Sequence, residues 1–132
     1  AALRGTMILV DSDILIWVMR GDNRASAFLD DIASPAISAV SYMELVQGMR
    51  NRRELAALTA FVRARKVRLL PISESITGRA VRLVERHFLS HHLQLADALI
   101  AASALENKLT LATGNVKHFK AISGLKLRQF EH

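Results

Sequence analysis

What most constrains the fold of this chain is the alternation of short apolar runs with longer stretches of helical periodicity. Met7 to Val10, Pro35 to Val40, Val67 to Ile72 and Leu109 to Ala112 each read as a buried strand, with a weaker fifth at Leu125 to Phe130. Helices are predicted between them. The first covers Ile14 to Arg20, preceded by the capping residues Asp11, Ser12 and Asp13 and closed by Gly21. Others cover Ala25 to Ile32, Ser41 to Met49, and Arg53 to Lys66, where Leu55, Leu58 and Val62 recur at helical spacing. Ser73 to Phe88 sets an apolar face of Ile76, Ala80, Leu83, Val84 and Phe88 against a basic face of Arg79, Arg82 and Arg86. Asp97 to Leu105 is apolar nearly all round, the mark of a buried helix. Strands that alternate with helices in this way predict a three-layer α/β/α sandwich with a mainly parallel sheet and right-handed crossovers.

The 132 residues suit one domain, and no linker-like stretch divides them, so residues 7–132 are read as a single domain. Residues 1–6 precede Met7 and read as a cloning remnant or disordered N-terminus. Hydrophobic residues make up 51% of the chain and aromatic ones only 5%, so the core must be built from Ala, Leu, Val and Ile. Eighteen basic residues against 12 acidic give a formal charge of +6, which favours a polyanion such as nucleic acid or an acidic membrane surface. A membrane span is not expected. The most apolar early segment, Met7 to Met19, is interrupted by Asp11 and Asp13 well short of the roughly 18 apolar residues that a bilayer needs, and the same acids spoil a signal peptide. The absence of cysteine excludes disulfides and thiolate metal sites, and it fits a cytoplasmic protein.

Ligands of open parallel sheets bind beyond the carboxyl ends of the strands. Asp11 ends the first strand, Glu44 sits in the first turn after the second, Asp97 begins the buried helix, and Thr113-Gly114-Asn115 follows the fourth strand. Each acid has an ordinary explanation. Asp11 or Asp13 can cap the first helix, Ser41 and Glu44 form a capping-box pattern, and Asp97 suits a helix dipole. Their joint placement at strand ends points further. Three converging carboxylates about 4 Å apart repel pairwise by about 4 kcal/mol at an effective dielectric near 20, so they call for a cation or shared protons. All-oxygen ligation suits Mg²⁺ or Mn²⁺, which bind phosphate oxygens and activate water.

At these residues the chain resembles the PIN-domain ribonucleases, in particular the VapC-type toxins of bacterial toxin–antitoxin pairs. The likeness rests on Ile8 to Ile16, on Ile37-Ser38 with Ser41 to Leu45, on Leu95 to Ala102, and on Leu111 to Phe119, and it spans Met7 to about Phe130. The resemblance implies a sheet of order 3-2-1-4-5, metal ligation by Asp11, Glu44 and Asp97, hydrolysis of RNA, a homodimer and a cognate antitoxin. Many members carry a fourth acid in the last motif. Here Asn115 stands there, with His118 three residues on, and Asn115 is expected to reach a metal only through a water.

Around the acids, Ser12, Asp13 and Thr113 are expected to orient carboxylates or waters from outside the ligand set. His87 and His91 lack the intervening Glu of a zinc-hydrolase motif and, with His92, read as a solvated helix end. The clusters Arg50-Arg52-Arg53, Arg63-Arg65-Lys66-Arg68 and Arg79-Arg82-Arg86 are candidates for RNA phosphates, with at least one expected to touch RNA. The competing reading is a catalytically inactive module that only binds RNA or DNA. A small-molecule phosphoryl-transfer enzyme is disfavoured, because no glycine-rich phosphate loop follows any strand.

Overall fold

β1 (Met7–Val10) forms the middle of the sheet because it is apolar toward both faces: Leu9 and Val10 are 0% and 1% exposed. The computed structural model describes residues 7–132; the segment read as a cloning remnant, residues 1–6, lies outside the described residues. β1 pairs in parallel with β2 (Ser34–Ser38) on one side and β4 (Thr110–Thr113) on the other. β3 (Arg68–Leu70) and β5 (Leu127–Gln129) add to the outer edges, also in parallel, so the order is β3-β2-β1-β4-β5. This is the order that the resemblance implied.

The strand period of two sorts the core into two layers. Leu9, Ala36 and Leu111 point to one face, where they meet Ile76, Ala80 and Leu83 of α5 (Glu74–His91) and the alanines of α6 (Leu95–Asn107). Val10, Ile37 and Ala112 point to the other. There they meet Ile14 and Leu15 of α1 (Ser12–Met19), Leu29 of α2 (Asn23–Asp30), Leu45 of α3 (Ala39–Gln47) and Leu58 of α4 (Arg52–Ala64). Ala98, Ala101, Ala102 and Ala104 are all fully buried, so α6 packs on every side, as its sequence requires. Gly21, at φ +85°, ends the first helical segment as expected. Among the described residues no helix is long and apolar enough to cross a membrane.

Several boundaries differ from the sequence reading. β2 ends at Ser38, whose Oγ accepts the Val40 N–H at 3.2 Å, so Ser38 and not Ser41 is the cap of α3. The capping box is therefore not formed. Ser41 is buried within the helix, and Glu44 lies beyond the first turn. α6 starts at Leu95, which puts Asp97 inside its first turn. α5 continues to His91 and is closed by His92 at φ 54°, with His91 and His92 exposed as a solvated end. Phe88 is 44% exposed and does not join the buried face, because it stands about 120° around the helix from Ile76.

Phe119 fixes the long connection between β4 and β5, since it is the largest fully buried side chain and packs into the layer formed by α5 and α6. Phe119→Ala should cost about 3–5 kcal/mol by leaving a cavity there. Equilibrium denaturation in urea measures this, and a cost under about 1 kcal/mol would show that the connection is not anchored by that ring.

Candidate metal centre

Asp11 is the fixed point of the site. Its backbone N–H continues the sheet by donating to Ala112 O at 2.9 Å, and its carboxylate caps α1, with Oδ1 accepting the Ser12 N–H at 2.8 Å. The other oxygen, Oδ2, accepts a hydrogen bond from Thr113 Oγ1 at 2.8 Å. Asp11 is only 6% exposed and Thr113 fully buried. The ordinary role of Asp11 as a cap and its place in the site thus coincide. Thr113 takes the orienting position expected of it, and its Oγ1 also accepts the Asn115 N–H at 2.9 Å.

Glu44 and Asp97 face Asp11 from α3 and α6. Glu44 is freed for this because Ser38 has taken over the cap, and its carboxylate has no hydrogen-bond or ionic partner among the described residues. Burial raises its pKa first, and the charges of Asp11 and Asp97 raise it further. Asp97 is raised by burial, while nearby His118 pulls it down and Asp11 pushes it up; His118 Nδ1 lies 3.3 Å from Asp97 Oδ2. Burial also raises Asp11, against the lowering effect of its bonds to Thr113 and Ser12.

Around this trio the side chains take different places from one another. Asp13 Oδ2 accepts the Gly114 N–H at 2.9 Å and the Asn115 amide Nδ2 at 3.2 Å, which ties the start of α1 to the turn after β4. Its Oδ1 is buried and has no partner among the described residues. Gly114 is required for this bridge, because a Cβ there would stand 2.6 Å from Asp13 Oδ2. Asn115 is turned to Asp13, so the residue of the last motif that reaches the trio is His118. Sequence reasoning ranked Asn115 ahead of it. The usable signal was spacing: His118 lies one turn after Asn115, in the short 3₁₀ segment Val116–His118. The backbone of Ser12 serves the site through its N–H.

The donor set is all oxygen and mutually repelling, which fits a hard divalent cation better than a soft one. Among the described residues no three Asp, Glu or His side chains close around a single point.

Fold and site together define a class: three-layer α/β proteins with an acidic centre at the carboxyl edge of a parallel sheet. Within it, this chain belongs to the PIN-domain family, whose model matches residues 8–125. Ribonuclease VapC10 of Mycobacterium tuberculosis is 43% identical over 126 residues, covering 91% of each chain. Ribonuclease VapC19 of the same organism is 34% identical over 125 residues, covering 91% of this chain and 98% of its own. Among solved structures, a toxin–antitoxin complex from Klebsiella pneumoniae matches with a TM-score of 0.76 and 29% identity, over 95% of this chain and 99% of that one. VapBC2 from Rickettsia felis, bound to a DNA fragment from its promoter, matches with a TM-score of 0.82 over 95% and 99% of the two chains; at 21% identity this is a likeness of fold.

The crowding of acids sets a pH dependence. Asp13 is pushed from 3.8 to about 6, by burial first and by the charge of Asp11 second. Between those values the folded chain keeps a proton that the unfolded chain has released, so stability present below 3.8 is lost as the pH rises through about 6. Asp11, Glu44 and Asp97 shift in the same direction. Without divalent metal the protein should therefore melt at a lower temperature near neutral pH than in the ordinary carboxylate range. Asp13→Asn, which keeps an acceptor for Gly114 N–H, should reduce that slope and raise the melting temperature at neutral pH. Calorimetric melts in a chelator across the interval check this, and an unchanged slope in the variant would remove Asp13 from the account.

Proposed function

We propose that this protein is an endoribonuclease and the toxin of a toxin–antitoxin pair, hydrolysing RNA at Asp11, Glu44 and Asp97 with Mg²⁺ or Mn²⁺. The observation that carries this reading is the convergence of Asp11, Glu44 and Asp97 from β1, α3 and α6 on one edge of the sheet, close enough that the charge of Asp11 adds to burial in raising both Glu44 and Asp97. The identity with the two ribonucleases supports it. Residues 7–132 act as one nuclease domain.

A bound divalent cation supplies charge stabilisation at the scissile phosphate and a more acidic water for attack. The chain's own residues supply position. Ser12 N–H and Thr113 Oγ1 each occupy one lone pair of Asp11, which locks the carboxylate while leaving its remaining lone pairs for a cation. Glu44, without a partner, is the adaptable arm. Asp97, oriented by His118 Nδ1 at 3.3 Å, would be the third carboxylate to hold the cation. Asn115, with its amide nitrogen on Asp13, would reach a cation only through a water.

The cognate antitoxin fits the cleft of about 690 Å³ between α1, α3 and α4, where Ile16, Met19, Leu45 and Met49 give an apolar floor and Glu44 stands at its rim. An amphipathic segment of the partner lies on that floor, and its Arg or Lys reaches Glu44 in place of the cation. The homodimer uses the apolar surface of α5 and the start of α6, where Val81, Phe88, Leu89 and Leu95 are 52%, 44%, 89% and 72% exposed. An RNA substrate places the activity in the cytoplasm.

Asp11→Asn, Glu44→Gln and Asp97→Asn should each abolish nearly all metal-dependent cleavage of RNA while leaving the circular-dichroism spectrum and folding intact. Near-normal rates in two of the three would refute the assignment. Wild-type protein that binds RNA but never cuts it would establish the inactive binding module instead.

Expression of the chain alone should arrest growth, Glu44→Gln should relieve the arrest, and co-expression of the partner should relieve it in the wild type. Met49→Glu, which puts a charge on the partly exposed edge of the cleft floor, should weaken the partner's protection. Unaltered growth on strong expression without any partner would count against toxin function.

A further inference from the structure

The geometry points to the connection between β4 and β5 as the grip on the substrate strand, with Lys117 and Lys120 holding backbone phosphates of single-stranded RNA as it leaves the acids. This rests on the ribonuclease reading and deepens it. A cleft of about 410 Å³ opens beside the acidic centre, lined by Asn115, Lys117, His118, Lys120 and Gln129 among others. It meets the centre directly, since His118 Nδ1 is 3.3 Å from Asp97 Oδ2. A strand that crosses the acids and passes His118 enters this cleft.

Position favours this route over the basic clusters that stand out in the sequence, because Lys117 and Lys120 line the same cleft as His118, which touches Asp97. Residues 114–130 carry Lys117, Lys120, Lys126 and Arg128 and no acid. Lys117 and Lys120 are exposed and have no carboxylate partner among the described residues. Each sequence cluster, by contrast, has a member already engaged: Arg50 with Glu54 at 2.7 Å, Arg65 with Asp30, and Arg79 with Glu106 at 2.7 Å. Arg128 lies over the Phe28 ring at 5.0 Å and is turned away to that contact. The two lysines are also rigidly mounted. They flank Phe119, which is fully buried, and Ile122 behind them is 5% exposed, so little backbone entropy is lost when they close on a phosphate.

The chemistry matches a strand held without regard to its sequence. Lysine is a point charge that takes a phosphate from several directions, whereas the exposed Gln129 offers both a donor and an acceptor to whatever base edge passes. The cleft is also separate from the apolar groove beside Glu44. β2 and β4 lie on opposite sides of β1, so the groove next to α3 and the cleft after β4 flank the acids from opposite directions. Substrate and protein partner thus have different approaches to one centre.

The test is fluorescence anisotropy of the full chain with a mixed-sequence single-stranded RNA in a chelator, so that nothing is cut, over a series of salt concentrations. Lys117→Gln with Lys120→Gln should bind about tenfold more weakly at low salt. Its slope of log affinity against log salt should be shallower by about 0.7 for each lost phosphate contact. With metal, the same variant should show a raised KM and a nearly unchanged kcat, because a phosphate grip is equal in ground and transition states. The control Arg52→Gln with Arg53→Gln should leave the slope unchanged. An unaltered slope and affinity in the lysine variant, with wild-type RNA binding intact, would overturn the proposal, as would a shift of the loss to the arginine variant. Wild-type protein that neither binds nor cuts RNA would instead overturn the ribonuclease reading itself.

Discussion

The buried hydrogen bond from Thr113 Oγ1 to Asp11 Oδ2 joins the carboxyl ends of β1 and β4 at 2.8 Å, and the geometry of the site follows from it. A carboxylate that is 6% exposed has lost most of its hydration, and only specific donors make that tolerable. Asp11 has the Thr113 hydroxyl, the Ser12 N–H and the positive end of α1. These partners set its orientation as well as its ionisation. Once Asp11 is held there, Glu44 and Asp97 are carried toward it by α3 and α6, and each feels its charge.

A second brace runs in parallel with the first. Asp13 accepts from Gly114 N–H and from the Asn115 amide, so the start of α1 and the turn after β4 are tied at two points. Gly114 is the one position in that turn where the bridge leaves no room for a side chain. The cost of the arrangement is another buried carboxylate, one of whose oxygens has no partner among the described residues. Its benefit is that Asn115 is held off the acids and the chain beyond it reaches His118 against Asp97, with Lys117 and Lys120 beside the same edge. Carboxylates raised by burial beside a like charge, as Asp13 is beside Asp11, cluster at functional sites.

Much of this was legible in the residues themselves. Strands of apolar residues alternating with amphipathic helices gave the three-layer arrangement and its two-sided core, because period two and period 3.6 are visible without coordinates. The positions of Asp11 at a strand end and of Asp97 near the start of α6 were readable in the sequence, whereas Glu44 lies deeper in α3 than its capping-box pattern suggested. Element ends were less so. Ser41 and Glu44 satisfy the capping-box pattern, yet Ser38 caps α3, because the strand stops earlier and an earlier serine is in place to accept the Val40 N–H. Phe88 belongs by type to the apolar face of α5, but its angular position takes it to the surface.

The sequence by itself determined the layers and the apolar faces, since each depends on residues close together in the chain, and it offered Asp11, Glu44 and Asp97 as the candidate acids. The tertiary structure decided which groups the acids meet. Thr113 lies 102 residues from Asp11, and Asp13 lies 101 from Gly114, so neither bond leaves a trace in local periodicity. The same holds for the cations. A run of arginines looks basic in sequence, but pairing with Glu54, Asp30 and Glu106 takes up one member of each cluster, while Lys117 and Lys120 remain beside the centre. Electrostatic partnership falls off with distance in space and not with separation along the chain, which is why only the folded structure could assign it.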